Sequence, residues 1–147
     1  MAEELKFEVK LSGTYWGKLP QYSVWLDDHV VMQSEIANQS VQTIAFTKTI
    51  DDGDHTLKIR LENKTIQDTV LTDDEIVKDM LLNIEDIAID DISLGNLLWD
   101  ATYILDEPHL FQGKTIDHLD HCVNLGWNGT YVLKFSTPFY IWLLEKL

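Results

Sequence analysis

Apolar and polar residues alternate with a period of two along most of this chain, the pattern of strands that turn one face to a core and the other to water. The cleanest run is DDGDHTLKIRLEN over residues 51–63, where His55, Leu57, Ile59 and Leu61 share one parity and Thr56, Lys58, Arg60 and Glu62 the other. The preceding Asp52-Gly53 pair tolerates the positive φ angles of a tight turn, so a hairpin is expected to launch this strand. Further strands follow from the same alternation. Lys6 to Leu11 turns Phe7, Val9 and Leu11 inward, and Gln42 to Ile50 does so with Ile44, Phe46 and Ile50. Tyr22 to Leu26 and Val30 to Gln33 read as a hairpin across Asp27-Asp28-His29, with Trp25 on the parity opposite the core. Leu97 to Leu105 aligns Trp99, Ala101, Tyr103 and Leu105, and Asp106-Glu107-Pro108 is expected to end it because proline cannot extend a ladder. Thr130 to Ser136 alternates through Tyr131, Leu133 and Phe135 after a Gly126-Trp127-Asn128-Gly129 turn.

Three places depart from simple alternation. In DIAIDDISL, residues 86–94, Ile87 and Ile89 have one parity and Ile92 and Leu94 the other, which predicts a β-bulge near Asp90-Asp91 or a strand covered on both faces. Thr72-Asp73-Asp74-Glu75 resembles a helix start with acids in its first turn and predicts a short helix from Asp73 to about Leu82. Thr137-Pro138, read as N-cap and first helical residue, opens an apolar helix at about 138–146 that either closes one end of the fold or docks on another subunit. At 147 residues the chain can bury a core without disulfides. The pattern predicts a single all-β domain over residues 1–147, an antiparallel β-sandwich or jelly roll with a short C-terminal helix.

Two of these segments carry a resemblance. D-G-x-H-x-L-x-I ending in Asn63, an acidic loop, then x-I-x-I-D-x-I-x-L resembles the calcium-dependent xylan-binding carbohydrate modules, which are small antiparallel β-sandwiches. The resemblance implies that the end of the central strand and the following loop supply oxygens to calcium. Asn63 matches the first residue of that family's Asn-Asp pair, Lys64 stands where the acid belongs, and Asp86 falls where the loop-closing Asn would be. Calcium needs about six to eight oxygens. The expectation is therefore no obligatory cofactor, with Asn63, Asp68 and Asp86 as the candidate calcium ligands and Asp73, Asp74, Glu75 and Asp79 as nearby oxygens. The ending NLGWNGTYVLKFSTPFYIWLLEKL is similar to the ends of small virion proteins of tailed bacteriophages, in which a sandwich is attached to a larger particle.

Charge narrows the partners. Eleven Lys and Arg against 25 Asp and Glu give a net charge of −14, and the cations are scattered, which argues against nucleic acid and anionic membranes. The opening MAEELKFEVK has no apolar stretch and Cys122 is the sole cysteine, so synthesis in a cytoplasm without export is expected. No Ser-His-Asp arrangement, phosphate loop or predictable carboxylate pair stands out, so an enzyme is not expected. His118 and His121 would share a cation such as zinc only if their segment were helical. Exposed aromatics are the remaining chemistry: Tyr15, Trp16, Trp25 and Trp127 are candidates for stacking on a sugar or contacting a partner, and Phe139, Tyr140, Trp142 and Leu143 for assembly. The leading expectation is a structural or decoration protein of a tailed-phage virion, made in the host cytoplasm and assembling with other virion proteins or with itself. The alternative is a glycan-binding module that uses exposed aromatics, with or without calcium.

Overall fold

The alternation builds two antiparallel sheets whose apolar faces meet. The computed structural model describes residues 2–73, 75–111 and 113–146. In chain order the strands are β1 (Ala2–Thr14), β2 (Gln21–Leu26), β3 (His29–Glu35), β4 (Gln42–Asp51), β5 (Gly53–Leu61), β6 (Val70–Thr72), β7 (Glu75–Lys78), β8 (Leu81–Ile89), β9 (Ile92–Ser93), β10 (Thr102–Phe111), β11 (Lys114–Asp120), β12 (Asn124–Leu125) and β13 (Gly129–Thr137), followed by helix α1 (Phe139–Lys146). One sheet has the order β12-β8-β1-β4, with β9 paired to β8; the other runs β11-β10-β13-β5-β2-β3. Strands β6 and β7 form a separate small hairpin.

Leu5, Phe7, Val9 and Leu11 from β1 and Leu82, Ile84, Ile87 and Ile89 from β8 face Val24, Leu57, Ile59, Tyr131, Leu133 and Phe135 of the six-stranded sheet in one buried cluster. Phe7 and Phe135 touch edge to face across the two sheets, with ring centroids 6.0 Å apart. The parities expected for β1, β2, β4, β5 and β13 are those observed.

Several local expectations are corrected. Asp52-Gly53 does not close a hairpin. Strand β4 pairs with β1 and β5 with β13 and β2, so Gly53 (φ 132°) turns the chain from one sheet into the other. The parity change in residues 86–94 is not a bulge at Asp90-Asp91. Those two residues (φ 51° and 64°) form the two-residue turn between β8 and β9, where Ile89 pairs with Ile92. The bulge lies earlier, at Glu85, because Lys10 pairs with Asp86 and Leu11 with Ile84. The expected helix from Asp73 to Leu82 is absent: Thr72 pairs with Glu75 across a turn that begins at Asp73 (φ 51°), and Asp74 lies outside the described residues. Acids suited to a first helical turn suit a tight turn as well, and the β-branched Ile76 and Val77 favour the strand.

The segment Leu97 to Asp100 belongs to a 3-10 turn over Gly95–Asp100, and β10 starts only at Thr102. That strand also runs through Pro108 to Phe111 instead of ending at Asp106. Beyond Leu105, β10 has no pairing to β13, and its register to β11 is broken between Ile104 and His109, so the missing proline N–H interrupts no regular ladder. Thr137 does not cap α1. Its Oγ1 donates to the Asp51 carbonyl at 2.7 Å, and Glu3 Oε1 accepts the Phe139 N–H at 2.7 Å. No described helix is long and apolar enough to cross a membrane.

His55 ties the β2-β3 turn to β5. Its Nδ1 lies 2.8 Å from Asp27 Oδ2 and its Nε2 2.6 Å from the Asp51 carbonyl, so both ring nitrogens face acceptors and the imidazolium suits the site. Burial opposes the charge, but the bonds to Asp27 and the Asp51 carbonyl outweigh it and raise the pKa above the ordinary value. A histidine with a raised folded pKa contributes stability that is fully present below its unfolded pKa and is lost as pH climbs through the folded one. The melting midpoint is therefore expected to decline as pH rises from about 6.5. His55→Gln should reduce that slope in scans across pH; an unchanged slope would rule the pairing out as its cause.

Candidate functional site

The outward residues of the six-stranded sheet form a surface that strand pairing, not sequence proximity, assembles. Trp25, Lys58, Val132 and Thr102 lie in one row across β2, β5, β13 and β10, and Ser23, Arg60, Thr130 and Ile104 in the next. Six of these residues, Trp25, Lys58, Arg60, Ile104, Thr130 and Val132, line an open groove of ≈ 450 Å³ together with Asp28. The half-buried Trp25 indole is held in place because Nε1 donates to the buried Ser23 hydroxyl at 2.8 Å. Arg60 is fixed by a two-pronged pair with Asp106, at 3.2 and 2.9 Å, and by the Thr130 hydroxyl. Such a fork fixes the guanidinium plane. Lys58 reaches Asp28 only at 3.5 Å, and Asp28 is almost fully exposed, so this ammonium can be redirected to a ligand. An indole, the apolar side chains of Ile104 and Val132, and a rim of cations, a carboxylate and a hydroxyl make a surface suited to a ligand with one apolar face and a polar perimeter.

The other aromatic candidates are placed differently. Tyr15 packs against the core. Trp16 is 47 % exposed, but the Lys78 ammonium sits 5.0 Å from its ring centroid and Nε1 donates to the Asp68 carbonyl at 2.9 Å. Trp127 stacks on His109 with centroids 4.3 Å apart. It also lines a smaller cleft of ≈ 240 Å³ with Thr69, Asp79, Tyr103 and Asn124. Of these aromatics, only Trp25 is part of the broad groove. Nothing local in the sequence marks its partners Ile104, Thr130 and Val132, because their outward parity acquires meaning only once β10 and β13 are known to lie beside β5.

Of the residues expected to mediate assembly, Phe139 and Trp142 are buried in the chain's own core and Leu143 packs against it. Tyr140 is exposed, as are the neighbouring Ile141 and Leu144. His118 lies on a strand with Nδ1 2.7 Å from Asp117 Oδ1, and His121 follows that strand at φ 56°, so the helical spacing needed for a shared zinc does not exist. Among the described residues no three His, Cys, Asp or Glu side chains come together to hold a metal.

The candidate calcium ligands are engaged elsewhere. Asn63 Oδ1 accepts the Gln21 N–H at 2.8 Å and its Nδ2 donates to the Leu19 carbonyl at 3.0 Å, so both ends of the amide serve the fold. Asp68 Oδ2 accepts from the Thr65 N–H and hydroxyl and pairs with Lys18 at 2.9 Å. Asp86 Oδ1, opposite Lys10 in the five-stranded sheet, accepts from the Ile87 N–H and Ser93 hydroxyl. These donors do not fit a calcium site.

The sequence pattern of a family of Ca-dependent, xylan-binding carbohydrate-binding modules, CBM60, matches residues 6–96. Two solved structures share the fold. The module vCBM60 in complex with galactobiose superposes with a TM-score of 0.55 at 9% identity, over 87% of this chain and 96% of that one. A selenomethionine form of vCBM60, from a study linking two families of calcium-dependent carbohydrate-binding modules by circular permutation, gives 0.56 at 9% identity, over 88% and 89%. No curated protein matches by sequence.

Proposed function

Since the chain belongs to the CBM60 family of carbohydrate-binding modules, we propose that it is a non-catalytic glycan-binding module whose sugar site is the groove around Trp25. The observation that carries this reading is the pair of rows that set a hydrogen-bonded indole beside Ile104 and Val132 and ring them with Lys58, Arg60, Asp28 and Thr130. A pyranose has an apolar C–H face that stacks on an indole and equatorial hydroxyls that meet donors and acceptors at its rim. Locking Trp25 and Arg60 before the ligand arrives lowers the ordering cost of binding.

Calorimetric titration against xylan, galactan and their oligosaccharides tests this site. Trp25→Ala should weaken binding by about 2 kcal/mol, roughly thirtyfold in Kd, in a protein that still unfolds cooperatively well above the titration temperature. Wild-type affinity in the variant would move the sugar elsewhere on the protein. A second reading, a virion structural protein attached through its C-terminal helix, draws on the exposed Tyr140, Ile141 and Leu144. Light scattering on the same samples separates the two, since a stable multimer with no affinity for any glycan would favour assembly.

A further inference from the structure

The segment between β5 and β8 is closed by charges that belong to the chain itself. Lys64, whose side chain is only 6 % exposed, pairs through Nζ with Asp79 Oδ1 and donates to the Met80 carbonyl at 2.6 Å. The same Asp79 oxygen accepts from the Thr69 hydroxyl at 2.7 Å and the Met80 N–H at 2.8 Å. The Lys64 peptide is clamped in turn, because its N–H donates to Asn128 Oδ1 at 2.7 Å and its carbonyl accepts from Asn128 Nδ2 at 2.9 Å. Between the two ends of the segment, Asp68 is bound by Lys18 and Thr65. A nearly buried ammonium thus gathers a carboxylate and a carbonyl from a distant part of the chain beside the strand end, which is the kind of work a bound divalent ion does. The two carboxylates nearest the strand end are each paired within the chain, Asp79 with Lys64 and Asp68 with Lys18. A calcium ion here would have to displace an ammonium and take over oxygens that already accept hydrogen bonds.

We propose that in this member of a calcium-dependent family the Lys64 ammonium takes the cation's place, so that the loop over residues 64–80 is held closed without metal. The loop then opens when the lysine is removed and is indifferent to calcium when it is present. Asp79 is the carboxylate through which the loop is held.

Thermal melts and amide hydrogen exchange of ligand-free protein in EDTA and in millimolar calcium test the assignment. The wild-type midpoint is expected to agree in the two buffers within about 1 °C, whereas a site at a hundred times its Kd in calcium would raise it by roughly 5–10 °C. Lys64→Met should lower the midpoint by roughly 10 °C and speed exchange in residues 64–80 before that of β1. Should that variant not be recovered folded, Asp79→Asn keeps the acceptor's shape, removes its charge, and should speed exchange in the same segment. A calcium-dependent rise in the wild type would overturn the assignment. So would wild-type exchange across residues 64–80 in either variant. All readouts are taken without sugar, so they stand whether or not a glycan binds at Trp25.

Discussion

Phe7→Ala is expected to lower stability by about 4 kcal/mol, measured by urea or guanidinium unfolding. Phe7 is fully buried in β1, the strand that joins β4 and β8. Its ring stacks on Phe46 of β4 with centroids 4.9 Å apart and planes 10° from parallel, and meets the edge of Phe135 from the opposite sheet. Truncation removes the burial of a whole ring and leaves a void lined by groups fixed in two different sheets. Neither sheet can close that void without moving the other, so little of the cost is recovered by relaxation. Packing that transmits between the sheets in this way also predicts an unchanged denaturant slope with a lower midpoint. A loss below about 1 kcal/mol would mean that the centre of the sandwich is not packed around this ring.

Gly129→Ala should destabilise by about 3 kcal/mol although no unusual dihedral angle requires glycine there. Gly129 opens β13 between Leu105 of β10 and Leu61 of β5. A methyl group at this position would collide with the Ile104 carbonyl oxygen and approach the Leu105 Cα to 3.1 Å and the Ile104 carbonyl carbon to 3.2 Å. All three atoms are backbone, so no rotamer change relieves the clash, and β10 and β13 must separate. Ile104 is also a wall of the groove, so the same substitution should weaken glycan binding as well as stability. Gly126→Ala is the contrasting control, since its methyl would meet only the movable end of the Leu81 side chain at 3.1 Å. Equal melting midpoints for the two glycine variants would refute the steric account.

The class of fold was legible because parity is a local property. In β5 the order Leu57, Lys58, Ile59, Arg60, Leu61 places alternate side chains on opposite faces whatever the strand's neighbours are, and β1, β2 and β13 repeat the arrangement. The family was legible for a related reason: Asp52-Gly53, His55 and the run from Ile87 to Leu94 are two short stretches of turn and parity residues, each readable locally and both within the matched region. The reading failed where one local signal suits two structures. Thr72 to Glu75 is as good a tight turn as a helix start, and Asp52-Gly53 serves a corner between sheets as well as a hairpin.

What the sequence by itself determined is which side chains face inward on each strand and that these strands form an antiparallel sandwich. What only the tertiary structure decided is which outward residues meet. Lys78 lies over Trp16 and His109 over Trp127, while Trp25 stands beside Lys58, Val132 and Arg60. Asn63, which matched a ligand by its position, spends its amide on Gln21 and Leu19, and the mismatched Lys64 becomes the cation that closes its own loop. The physical reason is that parity depends on backbone geometry within a few residues, whereas ligation, stacking and charge pairing depend on contacts at 3 to 5 Å between strands far apart in the chain, as in the Lys78 ammonium 5.0 Å from Trp16 and the Lys18-Asp68 pair at 2.9 Å.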